Sequence, residues 1–188
     1  MRCESSLELK SRAVTRFDFK GVACASYSDP VAKLISNYKS LGYLTLARGF
    51  AKAMGLALNE ISEVTQLRSE ATVLVPVPDH PDSKRSFSPT TLMVRELSIQ
   101  LGLNWLPGLT MQSNVPDQAG LSIADRKRNL VNSMNAQTWM SGRRVLLVDD
   151  LTTTGSTLRE ARRALLEVGC SVAGFVTFAE TLKKTSSQ

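Results

Sequence analysis

One segment constrains this chain more than any other. Four apolar residues, Val145-Leu146-Leu147-Val148, run into two acids, Asp149-Asp150, and then into Leu151-Thr152-Thr153-Thr154-Gly155-Ser156-Thr157. The apolar run reads as a buried strand and Asp149 to Gly155 as a loop. Leu158, Ala161, Leu165 and Val168 form the apolar stripe of a helix from Ser156 to Val168. Gly169 suits the position just past that helix, and Ser171 to Phe178 reads as a further strand. Strand, loop, helix and strand joined by short turns make a βαβ unit, which requires a sheet at least partly parallel with helices on its faces. The sequence therefore predicts an α/β protein.

Upstream, Ala13 to Phe19 and Gly21 to Tyr27 read as an edge hairpin. Asp29 suits a helix N-cap and Pro30 the first helical position, with Val31, Leu34, Ile35 and Tyr38 recurring at helical spacing until Gly42. A second helix over about Leu44 to Leu58 places Ala47, Phe50, Ala51 and Met54 on one face. Thr72 to Pro78 reads as a buried strand that runs out at its prolines, followed by a loop over Asp79 to Pro89. Met93, Leu97 and Leu101 mark a helix over Thr90 to Leu101 that Gly102 ends. Pro107 to Leu121 is polar and without period, a loop long enough to be functional. Ser122 and Asp125 resemble a capping box for a short basic helix through Val131. The chain divides into an N-terminal hood over 1–65 and a core over 66–188 that forms one compact unit with it.

Composition removes several function classes. Apolar runs of about four residues fall far short of the ~20 that a membrane helix requires. Met1 to Lys20 mixes charges throughout with no signal-peptide core, so a soluble cytoplasmic protein is expected. Cys3, Cys24 and Cys170 are too widely spaced for a zinc site, and the single histidine, His80, excludes a His-rich metal centre. The chain has no G-x-G and no Gly-Lys pair, which removes dinucleotide-fingerprint and Walker A readings. Lys and Arg total 23 against 17 Asp and Glu, a net charge of +6 that favours anionic partners. Nucleic acid is one such partner, but aromatic residues amount to only 6%, with no aromatic-rich basic stripe to stack bases. Arg159, Arg162 and Arg163 lie opposite the apolar stripe of their helix and read as a solvated face.

The loop itself has a definite chemistry. It leaves the carboxyl end of a parallel strand, where open α/β sheets place ligands, and enters a helix whose first N–H groups lack internal partners. Hydroxyls around one glycine add donors and allow close backbone approach, which suits a terminal phosphate. Adjacent carboxylates would repel that phosphate, so they must face something else. An ionised carboxylate only accepts hydrogen bonds, which fits ribose hydroxyls, or it shares a divalent ion with ligand oxygens. Asp-Asp after an apolar strand also opens receiver domains, but there most of the domain follows the pair, and here only 38 residues follow Asp150.

Leu146 to Thr157 resembles the phosphoribosyl-pyrophosphate (PRPP) loop of type I phosphoribosyltransferases. The resemblance implies that fold, a mainly parallel sheet flanked by helices with a small N-terminal hood. It also implies Asp149 and Asp150 on the ribose hydroxyls, and Leu151, Thr152, Thr153, Thr154, Gly155, Ser156 and Thr157 around the 5-phosphate. Val73 to Pro78, Arg85, Phe87, Gln118, Leu121, Arg126 and Asn129 narrow it to a similarity with the ComF/GntX-type competence family over roughly residues 25–180. Three departures stand out. The family's N-terminal four-cysteine zinc finger is absent, its Arg-Gly-Phe-Asn-Gln stretch appears as Arg85-Ser86-Phe87-Ser88-Pro89, and Thr153 stands where purine-salvage relatives carry an acidic base.

The activity so implied is displacement of pyrophosphate from C1 of PRPP by a nitrogenous acceptor, with Mg²⁺ accompanying PRPP at Asp149 and Asp150. Pro78, Asp79, Arg85, Gln118 and Lys127 would approach the pyrophosphate, and Arg126 would act with the acids in catalysis from a closing loop. The acceptor is not legible in the sequence. The alternative is a non-catalytic PRPP or nucleotide binder, or a protein associated with DNA uptake, on the same fold.

Overall fold

The computed structural model describes residues 9–41, 44–61, 71–81, 83, 85–112 and 130–181. Gly42, Gln118, Leu121, the capping box at Ser122, Arg126, Lys127 and Asn129 lie outside the described residues.

The hairpin expected near the N-terminus forms from β1 (Arg12–Arg16) and β2 (Phe19–Ser26), paired antiparallel from Arg12↔Ala23 to Arg16↔Phe19. Helices α1 (Asp29–Leu41) and α2 (Leu44–Glu60) follow. The first α1 turn closes on the Ser28 carbonyl, which accepts from Ala32 N–H at 2.8 Å, so Asp29 lies inside the helix rather than capping it. Strand β3 (Thr72–Pro76) leads to α3 (Pro89–Leu101), where the Ser88 hydroxyl accepts from Thr91 N–H and Gly102 at φ +65° stops the helix. A separate two-stranded ladder pairs β4 (Leu109–Met111) with β5 (Met134–Ala136). Strand β6 (Arg144–Thr152), helix α4 (Ser156–Glu167) and strand β7 (Ser171–Glu180) complete the chain.

The main sheet runs β1-β2-β7-β6-β3, parallel throughout except for the edge pair β1–β2. Its two faces carry separate cores, because successive strand residues point to opposite sides. Leu146 and Val148 of β6 pack with Tyr38 of α1, Phe50 and Met54 of α2, and Met93 and Leu97 of α3. Val145 and Leu147 pack with Leu158, Ala161 and Leu165 of α4, joined by Val14 and Phe19 of the hairpin. Residues of the hood region thus share both cores with the βαβ unit.

Two further expectations need correcting. The stretch after Val148 is strand rather than loop as far as Thr152. The parallel ladder continues through Asp149↔Thr177, Leu151↔Ala179 and Thr152↔Glu180, because β7 runs on past Phe178 to Glu180. Strand β4 lies within the segment that showed no period; it has three residues of which only Leu109 is buried, too few to display alternation.

Candidate functional site

The two acids inherit their orientation from the strand. Asp149 continues the α4 side of β6 and Asp150 the side of α1–α3, and both are buried, at 9% and 4% exposure. The Asp149 carboxylate accepts the Asp150 backbone N–H at 2.9 Å. Burial first, and the neighbouring Asp150 charge second, push the Asp149 carboxyl well above its ordinary value of 3.8. Asp150 is met by a cation from another element: Lys39 Nζ, in the last turn of α1, lies 2.6 Å from its Oδ2. Beside Lys39, the fully buried Tyr38 hydroxyl donates to the Pro89 carbonyl at 2.6 Å. Its proton is held more tightly than usual, by burial first and then by the charges of Asp150, Asp79 and Glu96.

Past Thr152 the chain makes a sharp bend. Thr153 and Thr154 are exposed, whereas Gly155 and Ser156 are buried at the head of α4. Gly155 has φ +82°, and a Cβ placed there would lie 2.7 Å from Cβ of Arg16. Glycine is therefore required on two counts, backbone conformation and space. Thr154 Oγ1 lies 2.9 Å from Ser156 Oγ and accepts the Ser156 N–H at 3.3 Å. Among the described residues, no acceptor meets the backbone amides of Thr153, Thr154 and Gly155. Thr152 is buried and Leu151 half-buried against the α1–α3 core, so these two support the bend while Thr153, Thr154 and the half-buried Thr157 face outward.

The second strand end lies alongside. Val77 N–H donates to the Val148 carbonyl at 2.9 Å, which carries β3 on beside β6 and sets Pro78 and Asp79 next to the acid pair. Arg85 Nη2 meets Asp79 Oδ1 at 3.1 Å, so these two expected residues come together. Arg126, Gln118 and Lys127 lie outside the described residues. The arginines of α4 are not a free solvated face. Arg162 reaches Asp18 at 2.8 Å and lies over Phe19, Arg159 lies over Phe17, and Arg163 bonds Glu160 and the Met134 carbonyl. Hairpin and β5 approach α4 closely enough to engage them.

Sequence reasoning missed three charged residues that shape this site: Lys39, Arg16 and Glu180. Arg16 is 5% exposed; its Nε donates to the Thr153 carbonyl at 3.1 Å, and its Nη2 to Glu180 at 2.5 Å and to the Thr181 carbonyl at 3.0 Å. Arg12 completes the cluster, 2.9 Å from the other Glu180 oxygen. No local motif marks these residues, since the contacts of Arg16 span 137 and 164 positions of sequence.

A mainly parallel sheet with a glycine-containing hydroxyl bend behind two strand-end acids defines a protein of the type I phosphoribosyltransferase class. Residues 48–188 match the family model of the phosphoribosyl transferase domain, and the chain belongs to that family. It is 31% identical over 155 residues to Competence protein F of Haemophilus influenzae, covering 80% of this chain and 68% of that protein. It is 29% identical over 163 residues to the DNA utilization protein YhgH of Escherichia coli strain K12, covering 86% of this chain and 72% of that one. The solved adenine phosphoribosyltransferase of Thermoanaerobacter pseudethanolicus aligns at 17% identity and a TM-score of 0.42, over 72% of this chain and 73% of that one. The competence-family resemblance of the sequence is thus carried by relatives as well as by motif. No helix among the described residues is long and apolar enough to cross a membrane.

Proposed function

We propose that the chain binds PRPP together with Mg²⁺ and transfers its phosphoribosyl group to a nitrogenous acceptor, releasing pyrophosphate. The observation that supports this best is the bend at Thr153–Gly155. Its amides, which meet no acceptor among the described residues, its exposed threonines and its glycine stand two residues past a pair of buried acids, where a parallel strand ends. The Thr153, Thr154 and Gly155 amides and the Thr153, Thr154 and Ser156 hydroxyls donate to the 5-phosphate, and Thr157 adds a hydroxyl at the helix head. Asp149 and Asp150 accept from the ribose hydroxyls and orient C1. The acceptor nitrogen forms its bond to C1 as the bond from C1 to the pyrophosphate oxygen breaks, the bonding pair leaves with pyrophosphate, and the acceptor's N–H proton passes to water. Carboxylates near C1 stabilise the positive charge that develops on the sugar. Pro78, Asp79 and Arg85 lie on the pyrophosphate side, where Arg85 exchanges Asp79 for a phosphate oxygen. Gln118, Arg126 and Lys127, outside the described residues, are assigned to the same pyrophosphate by the family resemblance alone.

The described residues contain no group of three or more His, Cys, Asp or Glu that could hold a metal ion. Two carboxylates alone leave most positions around Mg²⁺ to oxygens other than the protein's, so the ion arrives as part of the substrate. Its chemistry is to neutralise the leaving pyrophosphate.

Thermal unfolding tests the binding. Millimolar Mg-PRPP at micromolar affinity adds ~4 kcal/mol to the unfolding free energy, and pyrophosphate release with one of a panel of nitrogen bases establishes transfer. An unchanged melting temperature contradicts the proposal. A second reading, a non-catalytic role in the handling of DNA, is favoured by the names of the relatives and by the net charge of +6. Salt-sensitive binding of single-stranded DNA without PRPP binding would select it.

A further inference from the structure

Arg16 lies outside the span 48–188 that matches the family model, yet it reaches into the phosphate loop. Burying a guanidinium is unfavourable unless each charged edge finds a partner. Nη2 serves Glu180 and the Thr181 carbonyl, Nη1 the Thr15 carbonyl at 3.3 Å, and Nε the Thr153 carbonyl. The contacts to Glu180 and Thr181 tie the hairpin to the end of β7. The contact to Thr153 has a different consequence. In a trans peptide the carbonyl and the following N–H point in opposite directions, and no cis bond occurs among the described residues. A Thr153 carbonyl turned toward Arg16 therefore turns the Thr154 N–H away from it, to the outer side of the bend. The Arg16 stem also fills the space against Gly155, with Cβ, Cγ and Cδ at 2.7, 2.9 and 3.3 Å from where a Cβ would stand. Peptide plane and bend are thus held from beneath by one side chain whose charge is already balanced by Glu180.

We infer that Arg16 is a positioning residue for the phosphate loop, holding the Thr153–Thr154 peptide so that its amide faces the 5-phosphate of a sugar phosphate. The inference rests on reading that loop as the sugar-phosphate site. It assigns part of the ligand geometry to the N-terminal hairpin, a segment outside the matched family span. Arginine suits the role because its fork serves Thr153 and Glu180 at once; a lysine ammonium keeps the charge for Glu180 but lacks the Nε–H.

Calorimetric titration with ribose 5-phosphate separates the possibilities. Arg16→Lys should bind about ten- to a hundredfold more weakly than wild type, the range for one lost charge-assisted hydrogen bond. Arg162→Ala, which removes the ion pair from α4 to Asp18 and the contact over Phe19 in the same hairpin, should bind as wild type does. Equal affinity of Arg16→Lys and wild type overturns the inference and leaves the site reading intact. Wild type that fails to bind millimolar ribose 5-phosphate overturns both. Should Arg16→Lys not fold, amide NMR of the wild type decides. The Thr154 N–H should be among the resonances most shifted by ribose 5-phosphate, and a Thr154 amide that stays still while others move overturns the inference.

Discussion

The C-terminal unit β6–α4–β7 and the N-terminal hairpin with α1 contribute to one site in opposite ways. The C-terminal unit supplies the groups that the proposed function sets against a ligand: Asp149, Asp150 and the Thr153–Thr157 bend, all within nine residues. The N-terminal segment supplies what holds them, with Lys39 against Asp150 and Arg16 beneath Thr153. The difference teaches that this site is a local motif stabilised by remote charges. Two buried acids side by side repel each other, and a bend whose amides meet no acceptor among the described residues has little of its own to define its shape.

Breaking the ligand-facing side should have the largest effect. Asp150→Asn removes a proposed ribose acceptor and should abolish PRPP binding in calorimetry; affinity equal to wild type would remove Asp150 from the site. Gly155→Ala strikes where the two regions touch. An L side chain at φ +82° with its Cβ 2.7 Å from Arg16 Cβ should cost about 2–4 kcal/mol in chemical denaturation. A loss under about 1 kcal/mol would show that hairpin and bend can separate easily.

The acid pair sharpens the comparison through pH. Burial and Asp150 hold the Asp149 carboxyl well above 3.8, so the folded chain keeps a proton that the unfolded chain has released. That contribution to stability is complete at acid pH and is lost as pH rises from about 4 through the folded value, by ~1.4 kcal/mol per pH unit. Asp149→Asn keeps an oxygen for the Asp150 N–H and carries no charge. It should gain stability relative to wild type as pH rises through that window, while losing sugar-phosphate affinity. A stability difference that does not change with pH would contradict burial and the Asp150 charge as the source of the raised carboxyl.

The smallest effect belongs to the counter-ion. Lys39→Met should lower stability, and a double-mutant cycle with Asp150→Asn should return a coupling of about 1 kcal/mol, since the Lys39 side chain is 35% exposed and partly screened. Zero coupling would mean that α1 merely lies near the acid.

Legibility followed the same division. Apolar spacing found the faces of α1, α2, α3 and α4, and Val145 to Val148 announced β6, because each signal is carried by neighbours in sequence. The strand's continuation through Asp149 and Asp150 was hidden, as residues read as loop were recruited by a ladder to Thr177 and Glu180 that only the folded sheet provides. No local pattern separates Lys39 from other helix lysines or Arg16 from the other charges near the N-terminus. Their partners Asp150, Thr153 and Glu180 sit at the far end of the chain, so no window of sequence contains both.

The most direct test of the central claim is a crystal structure with ribose 5-phosphate bound. The phosphate is predicted to lie within hydrogen-bond distance of the Thr153, Thr154 and Gly155 amides, with the 2- and 3-hydroxyls on Asp149 and Asp150. Ligand density elsewhere, with those amides turned inward against protein, would contradict it.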